Sequence, residues 1–217
     1  MSWQRLRVSM RWPMRWPIGL TMLVSLWSLA GAADAGTVDV ARSRVYVFVG
    51  KTGAGHEHAM EGSLSKGELD LSRQNAGSLT LDLKSMSADT PTARKVLRLG
   101  GASDAGSRSQ VTATMLGAAV LDTVRFPTAE FQVQKVQALP VDPKQPGDRY
   151  QLDGELTLHG VKRPLRLMVG TELVDGLTRM RGTTDLKQTD FKITPYSKLF
   201  VGVSDGLHVY GEIWIRP

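Results

Sequence analysis

Beyond about residue 36, apolar and polar residues alternate along most of the chain. In "RYQLDGELTLHG", Tyr150, Leu152, Leu156 and Leu158 fall on one face while Gln151, Asp153, Glu155 and Thr157 fall on the other. That period of two belongs to a half-buried strand. It recurs in "SLTLDLK" (Leu79, Leu81, Leu83), "PLRLMV" (Leu165, Leu167, Val169) and "LHVYGEIWIRP" (Leu207, Val209, Ile213, Ile215), and "RVYVFVG", "AEFQVQKV" and "LTRMRGTTDLK" read as further strands. Turns such as "HGVKRP" and "SDG" separate them, and "LPVDPKQPGD" (139–148) reads as a long hairpin loop. So many short amphipathic strands in one domain predict an all-β, antiparallel barrel or sandwich, because both bury the apolar face and limit open edges.

One region has a different period. "TPTARKVLRLGG" places Thr90 before Pro91, a cap followed by a first-turn proline, and "SQVTATMLGAAVLDT" spaces Val111, Met115, Ala118 and Leu121 at helical intervals. With "GGASDAGSRS" read as loop between them, one or two short helices are expected within residues 91–122. Inserted between strands, they are placed to cap the mouth of a barrel.

The amino terminus changes the picture of charge. Arg5, Arg7, Arg11 and Arg15 precede an uncharged run from Ile18 to Ala33, and "AGAADAG" offers cleavage after Ala32, Ala33 or Ala35. This is the layout of a secretory signal peptide, and the run falls short of the roughly 20 residues of a membrane-spanning helix. The expected organisation is a cleaved leader over 1–33 and one periplasmic domain over 34–217. Taking those four arginines from 27 basic residues leaves 23 against 21 acids, so a formal +6 becomes +2. The clustered basic surface that nucleic acid requires is not indicated. With no cysteine, disulfides and thiol chemistry are excluded.

Candidate chemistry centres on "AGHEHAMEG" (54–62). On a strand, His56 and His58 would share a face and meet one zinc ion while Glu57 points away. A catalytic zinc needs a third ligand, and the remaining histidines are His159, at the "LTLHG" turn, and His208, on the face opposite Leu207 and Val209. The pair equally describes a polar strand rim. A G-x-S-x-G elbow from strand to helix is absent, since the string at 202–206 runs on into the strand pattern "LHVYGEIWIRP"; P-loop, G-x-G-x-x-G and H-E-x-x-H motifs are absent too, and the acids alternate outward as solvated faces do. Catalytic residues are therefore not assigned, and no cofactor is expected.

Four segments together resemble the YceI-like proteins: "TVDVARSRVYVFV", "MLGAAVLDTVRFPTAEFQVQKV" (115–136), "YQLDGELTLHGVKRPLRLMV" (150–169) and "TDFKI" (189–193). The resemblance implies an extended, lipocalin-like antiparallel β-barrel of about eight strands whose apolar lumen holds a long-chain isoprenoid or similar lipid. It also implies a periplasmic or secreted protein, often a homodimer, without established catalysis. Arg94 lies where the family usually has an arginine. The chain departs from the family in its doubled histidine and in a longer, Gly/Ser-rich cap segment, "RLGGASDAGSRSQVTATM".

The expected ligand-binding set follows. Leu81, Met115, Phe126, Phe131, Val133, Leu156, Leu158, Leu167, Val209 and Ile213 are candidates for the lumen, and Arg94, with Lys95, for orienting a head group at the mouth. The expected partner is a long-chain lipid or polyisoprenoid, exchanged with a membrane donor or acceptor protein. A metal-dependent enzyme built on His56 and His58 and a ligand-free packed barrel are the competing readings. A continuous apolar cavity, a polar cleft or neither would separate the three.

Overall fold

The computed structural model describes residues 36–140, 142–143 and 147–217; the leader expected over 1–33 and part of the 139–148 loop lie outside these. Its strands are β1 (Gly36–Val38), β2 (Arg44–Gly53), β3 (His58–Leu69), β4 (Gly77–Asp82), β5 (Ser87–Ala88), β6 (Thr128–Ala138), β7 (Arg149–Leu158), β8 (Val161–Val174), β9 (Leu177–Lys187), β10 (Ser197–Lys198) and β11 (Val201–Arg216). Strands β2, β3, β4, β6, β7, β8, β9 and β11 pair antiparallel in that order, and β11 returns to pair with β2. The result is a closed eight-stranded antiparallel barrel, which leaves no open edge among these strands. The short β1 bridges β3 and β11 at one end.

Most strands follow the sequence pattern, and β9 coincides with "LTRMRGTTDLK". The twelve-residue β3 does not show it. Met60, Gly62 and Leu64 are buried on alternate residues, but Gly62 interrupts the apolar row. A Cβ on Gly62 would meet Met86 Sδ at 2.3 Å, so the position is small because a neighbour fills it. Gly154 on β7 is similar: a Cβ there would lie 2.2 Å from the Gln132 carbonyl oxygen, beside a register slip in β6. Backbone yields less readily than a side chain, so Gly154→Ala is expected to lower stability by about 1–3 kcal/mol in denaturant unfolding.

The interior is solid at one end and hollow at the other. Val38, Leu69, Val133, Val136, Leu152 and Ile215 pack the end under β1. Val49, Met60, Leu83, Met86, Leu158 and Phe191 form a second cluster near the opposite rim.

The helices are α1 (Pro91–Val96) and α2 (Ala105–Leu116). Thr90 caps α1, its Oγ1 accepting from the Ala93 amide at 3.0 Å. Helix α2 begins inside the segment expected to be loop, because Asp104 accepts from the Ser107 amide at 2.9 Å and from its hydroxyl at 2.6 Å. It ends at Gly117, so Ala118 and Leu121 lie beyond the helix that their spacing implied. The two helices also separate in place. Ala93 of α1 is inaccessible against Tyr46 and Tyr210, whose rings stack at 6.1 Å. Both tyrosines alternate with the inward Val45, Val47 and Val209, so α1 packs on the outer wall and only α2 caps the lumen.

Candidate functional site

The hollow half contains a cavity of about 450 Å³. It runs from His56 and Val201 at the rim to Met180 and Ile213. Val201 to Ile213 is thirteen residues of β11 with a bulge between Val203 and Leu207, so this wall runs roughly 30 Å inside an eight-stranded barrel, and the space is long and narrow. Alternate positions build its walls: Val45, Val47 and Val49 from β2, and Leu207, Val209 and Ile213 from β11. Helix α2 closes over it with Val111 and Met115, while Gln110 and Thr114 supply polar groups. Among the described residues, no Lys, Arg, Asp or Glu lines it. Apolar walls with a few polar groups are the usual composition of a small-molecule pocket.

A polar network braces the rim end. His58 opens β3 and lines the cavity, and its Nδ1 lies 2.7 Å from Asp89 Oδ2. Asp89 is buried, and its Oδ1 accepts from the Ala59 amide at 3.0 Å and from Arg94 at 2.8 Å. Burial alone pushes the Asp89 carboxyl up, but the hydrogen bonds from His58 and the Ala59 amide, with Arg94, outweigh it and hold the group below its ordinary 3.8. An ionised Asp89 accepts a hydrogen bond from the Nδ1–H of His58, leaving Nε2 with no hydrogen-bond partner among the described residues. Gln188 is buried on the far wall and donates to the Ser204 carbonyl at 2.8 Å.

The description "YceI-like domain" matches residues 37–213 of this sequence. The chain belongs to the YceI-like family. No curated protein matches it. Among solved structures, a polyisoprenoid-binding domain from Saccharophagus degradans implicated in plant cell wall breakdown is similar, with a TM-score of 0.57 and 13% identity, covering 84% of this chain and 98% of that one. BcnA from Burkholderia cenocepacia is similar at a TM-score of 0.54 and 17% identity, covering 82% and 98%. At such identities the shared property is the YceI-like barrel itself.

Within this YceI-like barrel the residues singled out from sequence separate into two groups. Leu81, Met115, Phe131 and Leu156 line the cavity, as do Leu158, Leu167, Val209 and Ile213. Val133 does not: it is inaccessible in the solid end, where β6 has passed below the cavity floor. Phe126 packs against His159 at the β7–β8 turn, the rings tilted by 57° with centroids 4.5 Å apart, outside the lumen. Arg94 rides on the outer-wall helix, where Asp89 and the carbonyls of Gly100 and Gly101 occupy its guanidinium. It reaches the lumen only through Asp89 and His58. Lys95, on the same helix, is likewise absent from the cavity wall.

The histidine pair does not have the geometry of two ligands on one strand face. His56 lies in the loop before β3, so only His58 obeys strand alternation. His159 stands at a turn with φ +51° and its Nδ1 is 3.2 Å from the Phe191 carbonyl, while His208 points outward to Asp185 at 2.7 Å. Asp89 and Gln188 carried no sequence signal. Asp89 meets His58 across 31 residues of chain, and Gln188 sits in a 3₁₀ turn with no hydrophobic period.

Proposed function

We propose that this protein is an exported, non-catalytic carrier that holds one long-chain lipid or polyisoprenoid in its barrel lumen. The observation that carries the reading is the cavity itself: long, narrow, apolar and free of charged side chains along its described lining. Every 100 Å² of alkyl or prenyl surface removed from water contributes about 2.5 kcal/mol, so a chain along these walls gathers enough to offset the cost of association. The Saccharophagus degradans domain, described as polyisoprenoid-binding, supports the same class of ligand. The chain's tail lies toward Met180 and Ile213, and its head group faces the rim. There His58, fixed by Asp89, supplies a polar group to the cavity wall, as Gln110 and Thr114 of α2 do. Arg94 is then a positioning residue. Export rests on the arginine-flanked apolar leader of residues 1–33. A metalloenzyme built on His56 and His58 finds no support in the loop position of His56.

The test is native mass spectrometry and organic extraction of the protein as purified from expressing cells. A noncovalent, nonpolar long-chain molecule is the expected finding. Leu156 lines the mid-lumen, so Leu156→Trp should fold, by circular dichroism, yet retain at least about tenfold less lipid. A delipidated, folded barrel that takes up neither prenyl nor fatty-acyl probes would overturn the reading.

A further inference from the structure

The rim carries a feature that lipid storage alone does not require. Strands β10 and β11 are joined by the two-residue turn Leu199–Phe200, with Lys198 opposite Val201. Two-residue hairpin turns that need positive φ call for glycine, asparagine or aspartate. The chain observes that elsewhere: Asp175–Gly176 joins β8 to β9 at the opposite end of the barrel. At the rim Leu199 takes φ +55°, and among the non-glycine residues described with positive φ it is the one aliphatic side chain, alongside Asn75, Asp89, Arg98, Asp122, His159, Asp175 and Lys192. A local rule is broken here, and such violations concentrate at functional sites.

The turn is held in place with its side chains outside. Leu199 is 91% and Phe200 86% exposed. The Phe200 carbonyl accepts from the Ala54 amide at 2.8 Å, and a Cβ on Gly53 would come within 2.2 Å of the same oxygen. The β2–β3 loop thus braces the tip against the rim. Tyr196 and Val201, on either side of the tip, line the cavity mouth. The nearest charges in the strand register are cationic: Lys198 precedes the tip, and Lys51 on β2 pairs with Val203 of β11. Acids at this end include Glu57 in the β2–β3 loop, Asp190, and Asp205 on β11, whose carboxylate accepts from the Thr189 amide and hydroxyl at 2.9 and 2.8 Å.

We infer that Leu199 and Phe200 form a membrane-docking tip that inserts into an anionic phospholipid surface and presents the cavity mouth to it. The occupant is argued from chemistry. Two adjoining apolar side chains on a braced turn enter the acyl boundary while Lys198 and Lys51 meet anionic headgroups at its edge. A mouth opening beside the inserted tip lets an insoluble chain pass between bilayer and lumen without crossing water. This rests on the carrier reading for its purpose, but docking is measured independently of cargo.

The full chain, with its amino terminus as expressing cells leave it, is mixed with vesicles of phosphatidylethanolamine and phosphatidylglycerol. Because the chain contains no cysteine, Phe200→Cys and Leu173→Cys each carry a single environment-sensitive fluorophore, the second at the opposite end of the barrel. Vesicles should shift the emission of the label at 200 to the blue and leave that at 173 unchanged. The Leu199→Ser/Phe200→Ser variant should take up a prenyl fluorophore delivered from ethanol as well as wild type does. Its rate of accepting the same fluorophore from vesicles should fall about tenfold or more. An unshifted label at 200, or unchanged transfer in the double variant, would overturn the inference while ethanol-delivered uptake keeps the carrier reading. A shifted label with no uptake by either route would overturn the carrier reading instead. A dimer in gel filtration that the double variant dissociates would assign the tip to a second copy and sink the inference.

Discussion

Leu152→Asp is expected to abolish the fold or bring its melting temperature down by about 10–20 °C. Leu152 is inaccessible at the solid end of the barrel, between Val136 of β6 and Leu167 of β8 in the strand register. Removing the side chain alone, as in Leu152→Ala, costs about 2–5 kcal/mol through lost burial and the cavity left behind. Aspartate adds a charge without a partner in that cavity, so the sum is about 5 kcal/mol or more against a total stability of roughly 5–15 kcal/mol. At about 2–4 °C per kcal/mol for a domain of this size, the shift is visible in any thermal melt. Gln137→Asp, on the solvent face of β6, should stay within about 0.5 kcal/mol of wild type. Equal melts for Leu152→Asp and Gln137→Asp would mean that the inward and outward faces are assigned wrongly.

Asp89→Ala should be the second most damaging change. It removes the acceptor for the Ala59 amide, the partner of the half-buried His58 and the counter-charge of Arg94 in one step. Breaking a buried pair from one side costs about 3–5 kcal/mol, because the remaining cation is left desolvated. Arg94→Met in the Asp89→Ala background should recover part of this loss, since neither charge is then stranded. The deficit also has a pH signature. The Asp89 carboxyl titrates below its ordinary 3.8 when folded, so its stabilisation is complete above about pH 4 and is lost as pH falls through the folded value. Denaturant midpoints of wild type and Asp89→Ala should therefore converge as pH falls below about 4. The wild-type curve itself should decline over the same range, because Asp39, hydrogen-bonded to Arg216, and Asp153, to Arg166, are also held low. A gap that persists undiminished to the lowest pH would exclude the Asp89 carboxylate as its source.

The sequence by itself determined the class of fold and the chemistry of the lumen. Strands buried on one face must show a period of two; β7 states it openly, while β9, whose inward row is Met180, Gly182, Thr184 and Leu186, states it weakly. Inward leucines and valines likewise announced an apolar interior, so Leu81, Leu156, Leu158, Leu167, Val209 and Ile213 could be named from alternation alone. Alternation assigns a residue to a face but not to a height along the barrel axis. Val133 and Leu156 look equivalent in sequence, yet one sits in the solid end and the other beside the cavity. Only the stagger of neighbouring strands separates them. The same limit applies to β3, whose inward Gly62 is explained by Met86, a residue 24 positions away.

Tertiary structure alone decided where the polar groups went. Thr90 and Pro91 marked the start of α1, but nothing local says that Ala93 would dock on Tyr46 and Tyr210 outside the barrel and carry Arg94 away from the mouth. The Asp89–His58 contact spans 31 residues, and the bracing of Leu199–Phe200 by the β2–β3 loop spans nearly 150. Hydrophobic periodicity is written into neighbouring residues because burial acts on each side chain by itself. A hydrogen-bonded network or a braced turn depends on which distant segments the closed sheet brings together, and that is a property of the register rather than of any stretch of chain.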